Sequence, residues 1–148
     1  MTFAPRRAIV TASDSGIGRA TALALADAGM DVGVTWHSDE DGANETAEAV
    51  RARGRKAVVS QFDATDLESV PGAVRAIAEQ LGGLDVFVNN AGGGTGGPFL
   101  DLDLEAWRTV VALNFDGAFL GMHTAATLMA DAGQEGRIIA VTSVHGSQ

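Results

Sequence analysis

The residues able to do chemistry in this chain gather where its apolar runs end. Thr11-Ala12-Ser13-Asp14-Ser15-Gly16-Ile17-Gly18 joins an apolar run to a helical one through a turn with few bulky side chains. A helix opening there points its unpaired backbone N–H groups, and the positive end of its dipole, into the bend, which suits a phosphate. Gly16 lets the backbone approach a pyrophosphate, and Gly18 lets the new helix lie tightly on the preceding strand. Ala12 stands where a dinucleotide fingerprint has glycine, so its methyl group either tolerates the dihedrals of the tight turn or displaces the ligand slightly. On this stretch alone, plain strand-to-helix packing accounts for the residues equally well.

Composition removes other chemistries. Ten Lys and Arg against nineteen Asp and Glu give a net charge of −9, which disfavours nucleic acid or an anionic membrane as a partner but allows a local anion site. The absence of cysteine excludes disulfides, thiolate metal sites and cysteine nucleophiles. His123 and His145 lack the clustered carboxylates or histidines of a metal site, so both read as structural and no metal is expected. Arg6-Arg7 precedes only a short apolar run that leads into the glycine turn, so no export signal is read. No apolar stretch approaches the roughly twenty residues that span a bilayer. A cytoplasmic location is expected.

Positioning these groups requires strands and helices in alternation. Arg6 to Thr11 reads as a buried strand and Gly18 to Ala28 as a helix that Gly29 stops. Asp31 to Trp36 is a second strand, and Ser38 with Asp41 three residues on predicts a capped helix running through Val50 to Gly54. Ala57 to Phe62 is a third strand. Thr65-Asp66-Leu67-Glu68 has the capping-box pattern of a helix reaching Leu81, although Pro71 argues for regular helix from near Ser69. Leu84 to Val88 forms a fourth strand, followed by Asn89-Asn90-Ala91-Gly92 and a glycine-rich loop that lacks the ending of a P-loop. From Asp103 to about Ala132 the spacing of Leu104, Trp107, Val110, Val111, Phe115, Phe119 and Met122 predicts one long core helix. Arg137 to Thr142 is a fifth strand.

Five strands alternating with helices predict a doubly wound parallel sheet, Rossmann-like, in a three-layer α/β/α sandwich. One domain covers residues 1–148. Ligands of such sheets bind beyond the carboxyl ends of the strands, so the first turn, Asp63, Asn89 to Gly92 and Ser143 converge on one crevice.

With these motifs in order, the chain resembles the N-terminal part of a short-chain dehydrogenase/reductase. Thr11 to Gly18 is similar to that family's Thr-Gly-x-x-x-Gly-x-Gly turn, Asn89 to Gly92 to its Asn-Asn-Ala-Gly, and Asp63, Asn114 and Ser143 to single functional residues. The resemblance implies a cofactor site made of Thr11, Ser13, Asp14, Ser15, Gly16, Ile17, Gly18, His37, Ser38, Asp63, Ala64, Asn89, Asn90, Ala91 and Gly92. It implies that Asp63 accepts from the adenine amino group, and that Asn89 and Asn90 support the first turn and line the crevice. It further implies that Asn114 takes part in a water-linked proton relay and that Ser143 hydrogen-bonds the substrate carbonyl. Each position also has a plain reading: Asp63 as a turn cap, the asparagines as loop formers, Ser143 as a turn residue. An acid after the second strand would bind a ribose 2′-hydroxyl; here Thr35-Trp36-His37-Ser38 leans toward NADP. NAD remains possible, since Ser15 replaces a common arginine and Asp14 can accept from a ribose hydroxyl.

The family's proton donor is a tyrosine followed four residues later by a lysine, and neither has a place here. The chain contains no tyrosine, and its one lysine, Lys56, precedes the third strand. The expectation is therefore a truncated reductase, ending after the fifth strand, that as a complete protein interconverts a small ketone and a secondary alcohol and forms a homo-oligomer. The alternative is a non-catalytic nucleotide-binding piece.

Overall fold

A computed structural model describes residues 3–143. Five short strands, β1 (Arg7–Val10), β2 (Asp31–Trp36), β3 (Ala57–Gln61), β4 (Val86–Asn89) and β5 (Arg137–Ala140), alternate with helices. The helices are α1 (Gly16–Asp27), α2 (Glu40–Arg51), α3 (Val70–Leu81), α4 (Leu104–Val111) and α5 (Gly117–Asp131). All strand pairs are parallel, in the order β3-β2-β1-β4-β5. Parallel neighbours need crossovers and the helices supply them, so the fold is the expected doubly wound, Rossmann-like α/β sandwich. The chain winds outward from β1 to β3, then returns to place β4 on the other side of β1. That reversal leaves a crevice beyond the carboxyl ends of β1 and β4.

β1, β2 and β4 are nearly continuous apolar runs because helices cover both faces of the sheet. On one face Ala22 and Ala26 of α1 and Ala43 and Val50 of α2 pack against Val10, Val32 and Val34. On the other, Val74 and Ile77 of α3 and Ala125 and Met129 of α5 close over Ile9 and Phe87.

Several boundaries differ from the sequence expectation, each for a local reason. Helix α1 begins at Gly16 rather than Gly18. Helix α2 is capped not by Ser38 with Asp41 but by Asp39, whose Oδ1 accepts from the Gly42 N–H at 2.9 Å. A carboxylate is favoured over a hydroxyl at the positive end of a helix. The Thr65 capping box starts no helix, because Asp63 Oδ1 takes both the Thr65 N–H (2.8 Å) and its hydroxyl (2.7 Å). Helix α3 starts at Val70 instead, with Ser69 before it and Pro71 in the first turn, where proline's missing N–H costs nothing.

The single long helix expected from Asp103 to Ala132 is interrupted by wider, π-type winding over Ala112–Asp116. Asn114 Nδ2 donates to the Val110 carbonyl at 2.9 Å, inserting a side chain into the ladder that a regular helix would close with backbone. Most of the large residues of the predicted core stripe lie outside the core: Leu104, Trp107, Phe115 and Phe119 are each more than half exposed, while Met122 is partly buried against it. The buried side of α5 consists instead of Gly117, Ala118, Gly121, Thr124, Ala125 and Met129. Periodicity groups residues on a side, but the close approach to Phe87 selects the side with small residues.

Candidate functional site

The turn after β1 is built from hydroxyls and amides supplied by three strands. Ala12 adopts φ +49°, the left-handed conformation that glycine would take at no cost, so its methyl group tolerates the tight turn. From β2, Thr35 Oγ1 accepts the Ala12 N–H at 3.0 Å, while Ser13 Oγ accepts the Thr35 N–H at 3.0 Å and donates to the Val10 carbonyl at 2.8 Å. From beyond β4, the Asn90 and Ala91 N–H groups donate to Thr11 Oγ1 at 2.9 and 2.8 Å. Asn90 Nδ2 donates to the carbonyls of Thr11 (3.1 Å) and Ala12 (3.0 Å). Thr11 and Ser13 are wholly buried, so these two shape the turn and present no side chain to the crevice.

At Gly18 a Cβ would overlap the Ala12 carbonyl oxygen and stand 2.7 Å from Asn90 Nδ2, which explains why this turn of α1 carries no side chain. Ser15, at the start of α1, makes no side-chain cap, and the first turn holds no acid. By contrast α2 and α4 are capped by the carboxylates of Asp39 and Asp103. Ser15, Gly16 and Ile17 are exposed, and nothing lies within 4 Å of where a Gly16 Cβ would stand. An open helix N-terminus without its own anion fits the pyrophosphate of a dinucleotide.

Beside this turn a crevice of about 330 Å³ is lined by Ala12, His37, Asp63, Ala64, Ala91 and Gly92, all placed at the crevice by the sequence reading, together with Phe62, Thr65, Thr109 and Leu113, which that reading did not assign to it. His37 Nε2 faces Asp63 Oδ2 at 3.6 Å across the mouth. The Thr65 hydroxyl, aided by the Thr65 N–H and His37 against a desolvation cost, holds the Asp63 carboxyl below its ordinary pKa. Thr65 could have been found from the Asp63-Ala64-Thr65 spacing, which favours an Asx turn, and Thr35 had no such local signal. Ser38 is exposed on the lip after β2, and Asp14 is half-buried with its carbonyl beside Gly42 at the start of α2.

Asn89 is buried and closes β4, its carbonyl accepting the Val141 N–H at 2.9 Å. Asn114, expected among apolar neighbours in a buried helix, is half-buried in the π-type stretch. Its Nδ2 donates to Gly93 O (2.7 Å) and its Oδ1 accepts the Gly93 N–H (3.1 Å), so it clasps the loop after β4. Ser143 lies three residues past β5, beyond the same end of the sheet as Asn89, and is not among the residues lining the crevice. His123 is exposed on α5 against the Phe119 ring, and His145 lies outside the described residues. A hollow of about 450 Å³ at the opposite end of the sheet is walled by Arg7, Asp85 and Gln134, whose polar groups already bond one another and nearby carbonyls.

The chain matches the short chain dehydrogenase profile over residues 6–148. The uncharacterized oxidoreductase YohF of Escherichia coli (strain K12) is 49% identical over 138 residues, which are 93% of this chain and 54% of that protein. The crystal structure of acetoin dehydrogenase from Enterobacter cloacae superposes with a TM-score of 0.90 at 48% identity, over 98% of this chain and 57% of that one. Carveol dehydrogenase from Mycobacterium avium in complex with NAD superposes at 0.89 with 29% identity, over 98% and 57% of the two chains. The chain thus spans about half the length of the curated relatives it matches. The open turn between β1 and α1, the strand order and these likenesses agree: the chain belongs to the short chain dehydrogenase family.

Proposed function

We propose that the chain is the cofactor-binding part of an NAD(P)-dependent oxidoreductase interconverting a ketone and a secondary alcohol. The observation that carries this reading is the uncapped start of α1 at the reversal between β1 and β4, joined through Ala12 to the crevice of His37 and Asp63. The N–H groups at Gly16 to Gly18 hold the pyrophosphate, Asp63 accepts from the adenosine half, and Ala64, Ala91 and Gly92 wall it. The bound nicotinamide supplies or accepts the hydride. Ser143 hydrogen-bonds the substrate carbonyl. Asn114 spends both amide hydrogens on the Gly93 and Val110 carbonyls, so its part in a proton relay falls to Oδ1, which has a second lone pair for a water.

NADP is the favoured cofactor, because His37 and Ser38 stand where an acid would select a free 2′-hydroxyl; His37→Asp swings the ratio of affinities toward NAD. The names of the acetoin and carveol dehydrogenases support small alcohols and carbonyls as the substrate class. A cytoplasmic location is supported by the absence of cysteine, and among the described residues no helix is long and apolar enough to cross a membrane. Exposed Trp107, Phe115 and Phe119 support a homo-oligomer of the complete protein.

The 148-residue chain alone binds but does not turn over. It has no tyrosine, and its one lysine, Lys56, donates from the start of β3 to the Gln80 carbonyl, at the end of the sheet away from the crevice. A missing general acid costs roughly 10²–10⁴-fold in rate. Calorimetry will show NAD(P) binding by the chain and none by Gly18→Val; equal affinities would refute the placement of the site. NADPH consumption with a diketone will stay at background, and turnover abolished by Ser143→Ala would overturn the claim of inactivity.

A further inference from the structure

We propose that His37 and Asp63 form a proton-dependent selector between the two dinucleotides, in which one oxygen, Asp63 Oδ2, is shared by the His37 imidazolium and the adenosine half of the ligand. The inference rests on the dinucleotide reading of the crevice and adds to it a regulation by pH.

The geometry assigns the two carboxylate oxygens different tasks. Oδ1 takes both Thr65 donors, at 2.8 and 2.7 Å, and so fixes the plane of the group. Oδ2 faces His37, whose Nε2 stands 3.6 Å away, beyond hydrogen-bond reach but within reach of charge attraction. The His37 backbone is tied, its carbonyl accepting from Gln61 Nε2 at 3.2 Å, so the imidazole moves on a fixed stem. Its side chain is 67% exposed at the mouth and free to face an incoming phosphate. The other charged side chains contributed by the turn after β1 and by the start of α2 are the carboxylates Asp14, Asp39, Glu40 and Asp41. The guanidinium of Arg19 on α1 is engaged by Glu45 at 3.0 Å. Histidine is thus the residue type at this lip whose charge changes between about pH 5 and 8.

Two consequences follow for binding. With neutral imidazole, Oδ2 is available to an amino or hydroxyl donor of the adenosine half, with or without a 2′-phosphate. A proton on His37 pulls Oδ2 away from that donor and weakens NAD. For NADP the same proton is drawn to the 2′-phosphate, which releases Oδ2 and adds a charge-assisted contact. An ordinary carboxylate is already ionised between about pH 5.5 and pH 8, and the Thr65 hydrogen bonds shift Asp63 further in that direction, so the competition is switched by the imidazole rather than by the carboxylate.

The test is calorimetric titration of the chain with NAD and with NADP at pH 5.5 and pH 8, for the parent, His37→Gln and Asp63→Asn. The 2′-phosphate itself takes up a proton near pH 6, and this contribution is common to parent and His37→Gln. Relative to His37→Gln, the parent will show a Kd ratio of NAD to NADP about fivefold larger at pH 5.5 than at pH 8, the size expected of an exposed charge pair. Asp63→Asn will bind NAD with no imidazole-dependent loss at low pH. An identical pH response in parent and His37→Gln overturns the selector while leaving the dinucleotide site standing. Binding of neither dinucleotide at either pH overturns both.

Discussion

Strands β1 and β5, Arg7-Ala8-Ile9-Val10 and Arg137-Ile138-Ile139-Ala140, have nearly the same composition and flank the same strand. Ile9 and Ile138 both adjoin Phe87, and Val10 and Ile139 both adjoin Val88. Ile9 and Val10 are fully buried, whereas Ile138 and Ile139 are 39% and 47% exposed. The leading arginines differ in the same way. Arg7 grips Asp85 through Nε (3.0 Å) and Nη2 (2.8 Å) and also donates to the Gly82 carbonyl. Arg137 donates to the adjacent Gly136 carbonyl and lies 4.3 Å over the Phe3 ring. Among the described elements β5 touches only β4 and α5, while β1 has a strand on each side and helices on both faces. Burial is thus set by what lies across a strand, and an apolar run is only a request for it.

The largest expected break in this comparison is Ile9→Ala, which leaves a cavity under α3 and α5 and costs about 3 kcal/mol in denaturant unfolding. Next is Asp85→Asn, costing about 2 kcal/mol because the Arg7 side chain and the Arg6 and Arg7 N–H groups lose a charged acceptor. Desolvation pushes Asp85 up, but the hydrogen bond from Arg7 and those from the two backbone N–H groups outweigh it and hold the carboxyl below its ordinary value. A depressed folded pKa contributes stability above the unfolded value near pH 4 and loses it as pH falls through the folded one. The gap between parent and Asp85→Asn will therefore be full at pH 7 and shrink below about pH 4, read from urea midpoints across pH.

Smaller effects sharpen the contrast from the exposed side. Ile139→Ser changes stability by less than about 1 kcal/mol, since much of that side chain is already in water. It will lower self-association, because β5 carries exposed apolar groups on a sheet edge that has no strand partner among the described residues. Sizing of the parent at high concentration will show oligomers, and a monodisperse monomer would refute this. The smallest effect has the opposite sign. Ala12→Gly relieves a left-handed residue costing about 1–2 kcal/mol but loosens the unfolded chain by about 0.4–1, a net stabilisation near 0.5 kcal/mol by thermal unfolding.

Much of the candidate site's backbone geometry was legible because its parts are local. A glycine turn between a strand and a helix, an aspartate two residues before a threonine, and an Asn-Asn-Ala-Gly after a strand each carry their backbone geometry in a few neighbouring residues. Less legible were contacts made at long range. Thr35 completes the first turn from 23 residues away in the chain, and Asn90 does so from 78 and 79 away. The role of Thr11 and Ser13 as buried scaffold depends on those partners. The break in the long helix was likewise hidden, since the periodicity across it is good and only Asn114, by capturing the Val110 and Gly93 carbonyls, marks it.

By itself the sequence determined the alternation of strands and helices, the parallel sheet that this alternation requires, and the clustering of polar residues at strand ends, because propensity, capping and crossover geometry act over a few residues at a time. The tertiary structure decided which of two similar strands is buried, which side of α5 meets Phe87, and which oxygen of Asp63 faces His37. Those outcomes depend on neighbours distant in the chain, and burial, packing and charge pairing are properties of the space between elements rather than of any one of them.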